Sequence, residues 1–275
     1  MQRLNMSKGF KLLRIEYLFS VIIPCLLAIY LNNFEIADHL WILSGFAFYA
    51  ITGNTLNDFI DMRDPDEKET LDRVKGYSRK EIFVLSLASF ALGSACFMNT
   101  IIIYPILMIY LIVIVAMVIF YCVFKSLVIV NHIILGISHI ILPYFMIKIN
   151  AGSIFMNIFP VMSISEIFII ISIAVVAYTG QMLHELIDGD SLSKLSPKMS
   201  QIVIWGVSFI SLILGILMII FTQFYMFFPI VIFPLGIMYI FRKPREDLRG
   251  RYALKDIGII LGNLVLIYIV ILIIA

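Results

Sequence analysis

Nine long apolar stretches run through this sequence, and they restrict its fold more than any other feature. They cover residues 12–32, 39–57, 81–98, 100–124, 127–147, 165–187, 201–222, 224–241 and 254–274. Their lengths are close to the roughly 20 residues that a helix needs to cross a bilayer. They lack the alternation of barrel strands, and unsatisfied backbone groups are costly in lipid. The sequence therefore predicts an all-α, polytopic membrane protein with nine transmembrane helices.

The charged residues, only 14% of the chain, indicate how these helices are oriented. The net charge of +2 is too small for a nucleic-acid-binding surface, so that class of partner is excluded. With nine spans, 19 of the 20 basic residues fall on the side of the N-terminus and only Lys148 falls on the other. The positive-inside rule then predicts that the N-terminus and the acidic loops are cytoplasmic. The membrane is the cell membrane if the organism is prokaryotic.

Two of the predicted helices end in similar polar segments. Residues 52–61 read TGNTLNDFID and residues 179–188 read TGQMLHELID, with five identical positions. A similarity of this kind suggests an internal duplication, which membrane proteins use to build a site between two halves. We therefore predict a single membrane domain over residues 1–275, with pseudo-repeats at 12–124 and 127–241 and a ninth helix at 254–274.

The polar residues of each segment recur at i, i+3, i+4 and i+7, which places them on one helical face. We call these faces the first and second polar stripes: Asn54, Asn57, Asp58 and Asp61 form the first, and Gln181, His184, Glu185 and Asp188 form the second. Ionisable residues inside a membrane are costly and are candidates for function. If the stripes face one another, they bring together Asp58, Asp61, Glu185 and Asp188, with Asp64, Asp66 and Asp190 just beyond.

Converging carboxylates repel one another unless they are protonated or bridged by cations. Mg²⁺ suits such a group, because it is held by few carboxylates and completes its coordination with water and substrate phosphates. The nearby basic residues would contact the same anion: Arg63, Arg73, Lys75 and Lys125. An apolar cavity with this group at its cytoplasmic mouth would suit an amphiphile that has a diphosphate head and a hydrocarbon tail.

The run Asn57-Asp58-Phe59-Ile60-Asp61 and the acidic residues after the sixth span resemble the UbiA superfamily of intramembrane prenyltransferases, whose members carry NDxxDxxxD and DxxxD motifs at these places. Tyr121 to Lys125 is similar to the family's YxxxK, Asn131 to Gly136 to its Asn…Gly pattern, and residues 76–80 to the stretch that opens its third span. Two positions depart from the motifs. Pro65 replaces the last Asp of the first motif, between Asp64 and Asp66, and Leu192 replaces the second Asp of the other, where Asp190 is the nearest carboxylate.

The resemblance implies a nine-helix bundle, built as two four-helix halves plus one helix around a central cavity. It also implies Mg²⁺-dependent transfer of a prenyl group from a polyprenyl diphosphate to an acceptor, with an aromatic quinone precursor or another lipid-biosynthesis acceptor as the default. Carried over by position, the catalytic residues are Asp58, Asp61 and Asp188. The implied metal ligands are Asn57, Asp58, Asp61, Glu185, Asp188 and Asp190, and the implied diphosphate contacts are Asn57, Tyr121, Lys125, Arg73 and Lys75.

Two other functions fit part of the sequence. A catalytically impaired family member that binds prenyl lipid, or serves as an accessory subunit, would explain Pro65 and Leu192. A membrane transporter would explain the repeat and the carboxylates, but transporter sites are expected near mid-membrane, whereas these acids lie at predicted helix ends. His132 and His139 share one face of the fifth span, where they would either bind the acceptor or form hydrogen bonds within the core.

Overall fold

The chain is helical over nearly all of the part that the structure, a computed structural model, describes. That part comprises residues 11–65, 67–124, 128–155, 158–188, 192, 195–244 and 252–275, with the backbone alone described at 128–131, 155, 188 and 252–253. In chain order, the helices are α1 (Phe19–Leu31), α2 (Leu40–Asp61), α3 (Lys68–Arg73), α4 (Arg79–Ile103), α5 (Ile106–Val123), α6 (Val128–Gly136), α7 (Leu142–Asn150), α8 (Ile164–Asp188), α9 (Pro197–Thr222), α10 (Pro229–Ile240) and α11 (Tyr252–Ile274).

Short elements connect these helices. Single 3₁₀ turns at Ile15–Tyr17, Ile36–His39 and Tyr225–Phe227 precede α1, α2 and α10, and a π-helical segment, Ile137–Ile141, joins α6 to α7. A two-stranded antiparallel sheet, β1 (Ile154–Phe155) and β2 (Phe159–Pro160), follows α7. The sequence did not predict this sheet, because its strands are only two residues long.

Among the described residues, seven helices are long and apolar enough to cross a membrane: Lys11–Leu31, Arg79–Ile103, Ile106–Val123, His132–Asn150, Ile164–Ile187, Pro197–Thr222 and Leu254–Ile274. The prediction of an all-α, multi-pass membrane protein is therefore confirmed. The count of nine is not, and it stays a prediction. Of the two other predicted spans, Tyr225–Ile240 forms a shorter apolar helix, and α2 has 22 residues but carries the first polar stripe in its last turns.

Two helix ends differ from the predicted ones for local reasons. Helix α2 continues to Asp61, past the predicted end at residue 57, so the first polar stripe is helical throughout, as its spacing predicts. The break between α4 and α5 falls at Tyr104–Pro105 instead of residue 99. Tyr104 has the extended φ of −126° that a following proline favours. Pro105 thus ends one helix and caps the next.

The chain divides into two compact units. The first takes the chain up to Phe124, together with Leu142–Pro160 and Gly262–Ala275. Its main helix pair is α2 and α4, which approach closely at two glycines. A Cβ atom on Gly45 would lie 2.7 Å from the Phe97 ring, and one on Gly93 would overlap the Tyr49 ring and lie 3.2 Å from the Gly45 carbonyl oxygen. Small residues let membrane helices pack backbone to backbone in this way.

We expect Gly93→Val to destabilise this helix pair, because the new side chain would overlap the Tyr49 ring and Tyr49 is held in place by a 3.0 Å hydrogen bond to Ser94. Overpacking of this kind costs about 1–3 kcal/mol. Thermal unfolding in detergent should show a melting temperature several degrees lower. Gly206→Val on α9 is the matched control, since nothing lies within 4 Å of its Cβ position. Equal melting temperatures for the two variants would contradict the prediction.

Lys148 lies inside the first unit, although the sequence places it alone on the side opposite the other basic residues. The residue is 3% exposed, and its Nζ donates a 2.9 Å hydrogen bond to Oδ1 of Asn32. The Asn32 amide in turn donates to the carbonyl oxygen of Ala28, also at 2.9 Å. Lys148 therefore ties α7 to the end of α1.

The second unit comprises Lys125–Ile141 and Val161–Leu261. Helices α8, α9 and α10 pack around a buried cluster formed by Met182, Leu186, Leu192, Ile204, Ile237 and Phe241. The end of α10 is held from α9, where Gln201 Nε2 and Trp205 Nε1 both donate to the carbonyl oxygen of Phe241, at 2.7 and 2.9 Å. This carbonyl lies at the C-cap of α10 and needs partners from outside that helix.

The π-helical segment Ile137–Ile141 precedes Pro143 in the sequence. Proline lacks an N–H, and its ring crowds the carbonyl group four residues earlier, which here belongs to His139. Wider π turns relieve such interruptions. Within this segment, Oγ of Ser138 lies 2.9 Å from Nδ1 of His139, so His139 is a hydrogen-bonded histidine.

Candidate functional site

The first polar stripe occupies the last turns of α2 and is largely buried. Asp58 is 0% exposed and Asp61 is 6% exposed. Nδ2 of Asn57 donates a 2.8 Å hydrogen bond to Oδ2 of Asp61, one helical turn on. The contact confirms that the two side chains share one face, as the spacing predicts.

Arg73 pairs with Asp58 through two parallel hydrogen bonds. Nε of Arg73 donates to Oδ2 at 3.1 Å, and Nη2 donates to Oδ1 at 2.7 Å. Two neighbours on α3 orient the guanidinium: Oε1 of Glu69 lies 3.2 Å from Nη1, and Oγ1 of Thr70 lies 3.1 Å from Nη2. Bidentate pairs of this kind are the strongest that arginine makes with a carboxylate. The short helix α3 therefore serves to present one cation to the stripe.

The neighbours of Arg73 keep its guanidinium positively charged. Burial by itself would lower the pKa of Arg73, but the hydrogen bond and negative charge of Asp58, helped by the charge of Glu69, raise the pKa above its ordinary value. Arg73 therefore stays protonated at every physiological pH. A permanent positive charge therefore lies beside the first polar stripe.

Arg14 also reaches this group, a role that the sequence analysis missed. Nη1 of Arg14 lies 3.9 Å from Oδ1 of Asp58, and its guanidinium stacks over the Tyr17 ring at 4.5 Å. Its backbone is left-handed (φ 50°, ψ 44°), a conformation that costs energy outside glycine and that often marks a functional site. The sequence signal that could have indicated this role is the position of a charged residue at the start of an apolar span.

For some residues of the first unit that were predicted to belong to the site, the structure describes no contact with Asp58 or Asp61. Lys75 follows α3 with an exposed side chain, and no ion pair between described residues joins it to Asp58 or Asp61. Tyr121 is partly buried in the last turn of α5. Exposed residues that follow α2 are Arg63, Asp64 and Pro65. Asp66 and Lys125 lie outside the described residues.

Asn57 and Asp61 offer ligands that suit Mg²⁺. Oδ1 of Asn57 is buried and accepts no hydrogen bond, while the same amide holds Asp61 through its nitrogen. Mg²⁺ prefers oxygen ligands and is usually held by one or two carboxylates plus substrate phosphates. Asp58 contributes differently, because both its oxygens are engaged by Arg73. Within the described ranges, no three His, Cys, Asp or Glu side chains form a metal site by themselves, so the described residues supply a partial ligand set.

The second polar stripe lies on α8, in the second unit. Glu185 is buried, and its Oε1 is 3.2 Å from Nε2 of His132 on α6. The ring of His132 meets the Tyr178 ring edge to face, with 4.9 Å between their centroids. Asp188 is the last residue of α8, with its backbone alone described, and Asp190 lies outside the described residues.

Leu192 departs from the family motif for a structural reason. It is 6% exposed and belongs to the buried cluster of the second unit, among Met182, Leu186 and Phe241. A carboxylate at this position would be enclosed by apolar side chains, and its desolvation would be costly. The position therefore contributes to the core in this chain and not to the acidic group.

Sequence comparison places the chain among known proteins. Residues 20–255 match the sequence model of the UbiA prenyltransferase family. A search of curated proteins found no match.

Solved structures resemble the chain over nearly its whole length. A UbiA homologue from Archaeoglobus fulgidus bound to GPP and Mg²⁺ has a TM-score of 0.69 at 16% identity, over 98% of this chain and all of the other. The same homologue bound to DMAPP and Mg²⁺ has a TM-score of 0.68 at 16% identity, over 97% of this chain and 99% of the other. A structure of digeranylgeranylglyceryl phosphate synthase has a TM-score of 0.61 at 13% identity, over 98% and 96%. These similarities show a shared fold.

Proposed function

The chain belongs to the UbiA prenyltransferase family, and from this premise we propose that it is an intramembrane prenyltransferase, which transfers a prenyl group from a prenyl diphosphate to an acceptor. The observation that carries the proposal is the group of Asn57 and the buried Asp58 and Asp61 at the end of α2, with Arg73 paired to Asp58. Such a group suits an anion bound together with a cation, because its carboxylates can hold the cation and its arginine can contact the anion. An apolar tail attached to that anion would be accommodated among the membrane-spanning helices.

Two solved structures of a homologue with this fold hold a prenyl diphosphate together with Mg²⁺. We propose the same ligand class here, with Asn57, Asp58 and Asp61 from the first stripe and Glu185, Asp188 and Asp190 from the second as the cation-binding residues. Arg73, Lys75, Lys125 and Tyr121 are the proposed diphosphate contacts, beside Asn57. The buried, unpartnered Oδ1 of Asn57 supports this assignment most directly.

In the proposed reaction, the bond between the allylic carbon and the diphosphate oxygen breaks, and its electron pair leaves with the diphosphate. Mg²⁺, when bound, offsets the negative charge on this leaving group. Arg73 and Arg14 are fixed positive charges at the same place, and preorganised charge of this kind stabilises a transition state without reorganisation. A nucleophilic atom of the acceptor then forms the new bond to the prenyl carbon, and the acceptor loses a proton.

Two classes of molecule are candidates for the acceptor. We propose an aromatic quinone precursor as the first class to test and a lipid acceptor as the second. The similarity of the fold to a digeranylgeranylglyceryl phosphate synthase supports including the second class.

The direct test is to incubate the purified protein with labelled geranyl diphosphate, Mg²⁺ and each acceptor class. We expect diphosphate release and a prenylated product with one class. Tight binding of geranyl diphosphate without turnover across a broad acceptor panel would favour the impaired, lipid-binding member that Leu192 and Pro65 suggest. Substrate flux in proteoliposomes, abolished by Asp61→Asn, would favour a transporter instead.

We expect Arg73→Lys to raise the Kd for geranyl diphosphate about tenfold, because lysine keeps the charge but loses the planar fork that makes two parallel hydrogen bonds. Isothermal titration with Mg²⁺ present would measure the change. Arg242→Lys is the matched control, since Arg242 is exposed and its guanidinium stacks on Tyr239 instead of pairing with a carboxylate of the first polar stripe. An unchanged Kd for Arg73→Lys would show that Arg73 serves only to neutralise Asp58.

A further inference from the structure

The contact between His132 and Glu185 has no role in the reaction described so far. We propose that His132 is a positioning residue, which holds the Glu185 carboxylate in the orientation needed to bind the cation of a prenyl diphosphate. This inference rests on the proposed function. Nε2 of His132 and Oε1 of Glu185 are 3.2 Å apart, with side chains that are 1% and 10% exposed. That distance is within the range of an ion pair, but the ring N–H is not aligned on the carboxylate oxygen for a hydrogen bond. Contacts of this kind are often poorly aligned without ligand and tighten when the ligand binds.

The imidazole is itself held in place. Tyr178 and Glu185 lie seven residues apart on α8, so they share one helical face. The Tyr178 ring meets the imidazole edge to face at an interplanar angle of 74°. His132 comes from a different helix, α6, which packs against α8. The ring is therefore fixed by one residue of α8 while its nitrogen contacts another.

Carboxylates that bind metals are commonly oriented by a further hydrogen-bond donor, and loss of that donor typically lowers metal affinity about 10- to 100-fold. An imidazole that carries a proton on Nε2 is a donor of this kind, and Nε2 of His132 is the ring atom that lies next to the Glu185 carboxylate.

The first stripe offers a useful contrast. Asp58 and Glu185 occupy equivalent positions of the two similar segments, and each is buried against a basic side chain from another helix. The partner of Asp58 is an arginine, whose permanent charge offsets that of the carboxylate. The partner of Glu185 is a histidine. The two carboxylates therefore differ in their partners, and Asp58 has both oxygens bonded to Arg73 whereas one oxygen of Glu185 contacts His132.

The test compares His132→Phe, His132→Gln and wild type by titrating geranyl diphosphate, without acceptor, over a series of Mg²⁺ concentrations. Phenylalanine keeps the ring against Tyr178 but removes the donor, and we expect it to raise the half-saturating Mg²⁺ concentration about tenfold or more. High Mg²⁺ should restore full binding. Glutamine keeps a donor at similar reach and should stay within about threefold of wild type. His139→Phe, on the same span but bonded to Ser138, is the matched control and should leave the Mg²⁺ dependence unchanged.

Three results would overturn the inference: an unchanged Mg²⁺ dependence for His132→Phe, equal shifts for the phenylalanine and glutamine variants, or the same shift in His139→Phe. If His132→Phe does not fold, His132→Asn replaces it, because its amide is too short for the contact and should behave as phenylalanine would. Wild-type protein that binds geranyl diphosphate without Mg²⁺, or does not bind it, would instead refute the proposed function and this inference with it.

Discussion

Asp58→Asn is expected to lower the rate of prenyl transfer about 10³-fold, the upper range for loss of one preorganised electrostatic group. Asparagine has nearly the shape of aspartate, so the packing at the end of α2 should be kept. The substitution removes the only charge of this fully buried side chain and one of the two acceptors that Arg73 uses. Steady-state rates with geranyl diphosphate and the active acceptor would measure the effect.

The matched control for this variant is Asp72→Asn. Asp72 is the residue before Arg73, but its side chain is exposed, so its loss should leave the rate unchanged. Breaking a buried ion pair also costs stability, about 3–5 kcal/mol when one charge is left unpaired. Thermal unfolding of both variants therefore has to accompany the rates. An Asp58→Asn protein that is folded and retains more than about a tenth of the wild-type rate would contradict the electrostatic role.

Removal of divalent cations with a chelator is expected to reduce prenyl transfer to the uncatalysed rate, a larger effect than any single substitution. The physical reason is repulsion. Arg73 offsets the charge of Asp58, but Asp61 is buried beside this pair, and its carboxylate and a diphosphate repel each other more strongly there than in water. The buried oxygen of Asn57 would also lack its partner.

Activity assays with a chelator, followed by addition of excess Mg²⁺, would check this prediction. Recovery on adding Mg²⁺ is the expected outcome, and K⁺ at equal ionic strength is the control for simple screening of charge. A melting temperature that is the same with and without chelator would show that the loss is not unfolding. Full activity in the presence of chelator would contradict the proposal that the first and second polar stripes bind a divalent cation.

Sequence periodicity was sufficient to predict contacts within one helix. The spacing of Asn57 and Asp61 placed them on one face of α2, and the structure joins them directly. The pair between Asp58 and Arg73 was not predicted as a contact, although each residue was a candidate. It depends on α3, a six-residue helix too short to show a period, which turns the chain so that residues 15 positions apart meet.

Other parts of the site depend on tertiary packing and leave little trace in the sequence. Arg14 lies 3.9 Å from Asp58 and has a left-handed backbone, a conformation that no neighbouring residue type predicts. Leu192 appeared as a defect in an acidic motif, but its role is in a buried cluster formed by residues from α8, α9 and α10. In both cases the determining interactions come from residues that are distant in the sequence.

The enclosed Lys148 has a consequence for how the protein meets charged molecules. In the predicted orientation, Lys148 is the one basic residue of the outer side, and it is buried against Asn32. The described outer surface therefore presents the exposed carboxylates of Glu35 and Asp38 without an exposed lysine or arginine. Such a surface repels diphosphates, whereas the basic side attracts them, and this steering weakens as salt is added. In the predicted orientation, this difference would favour the approach of an anionic substrate from the basic side, on which the first polar stripe is predicted to lie.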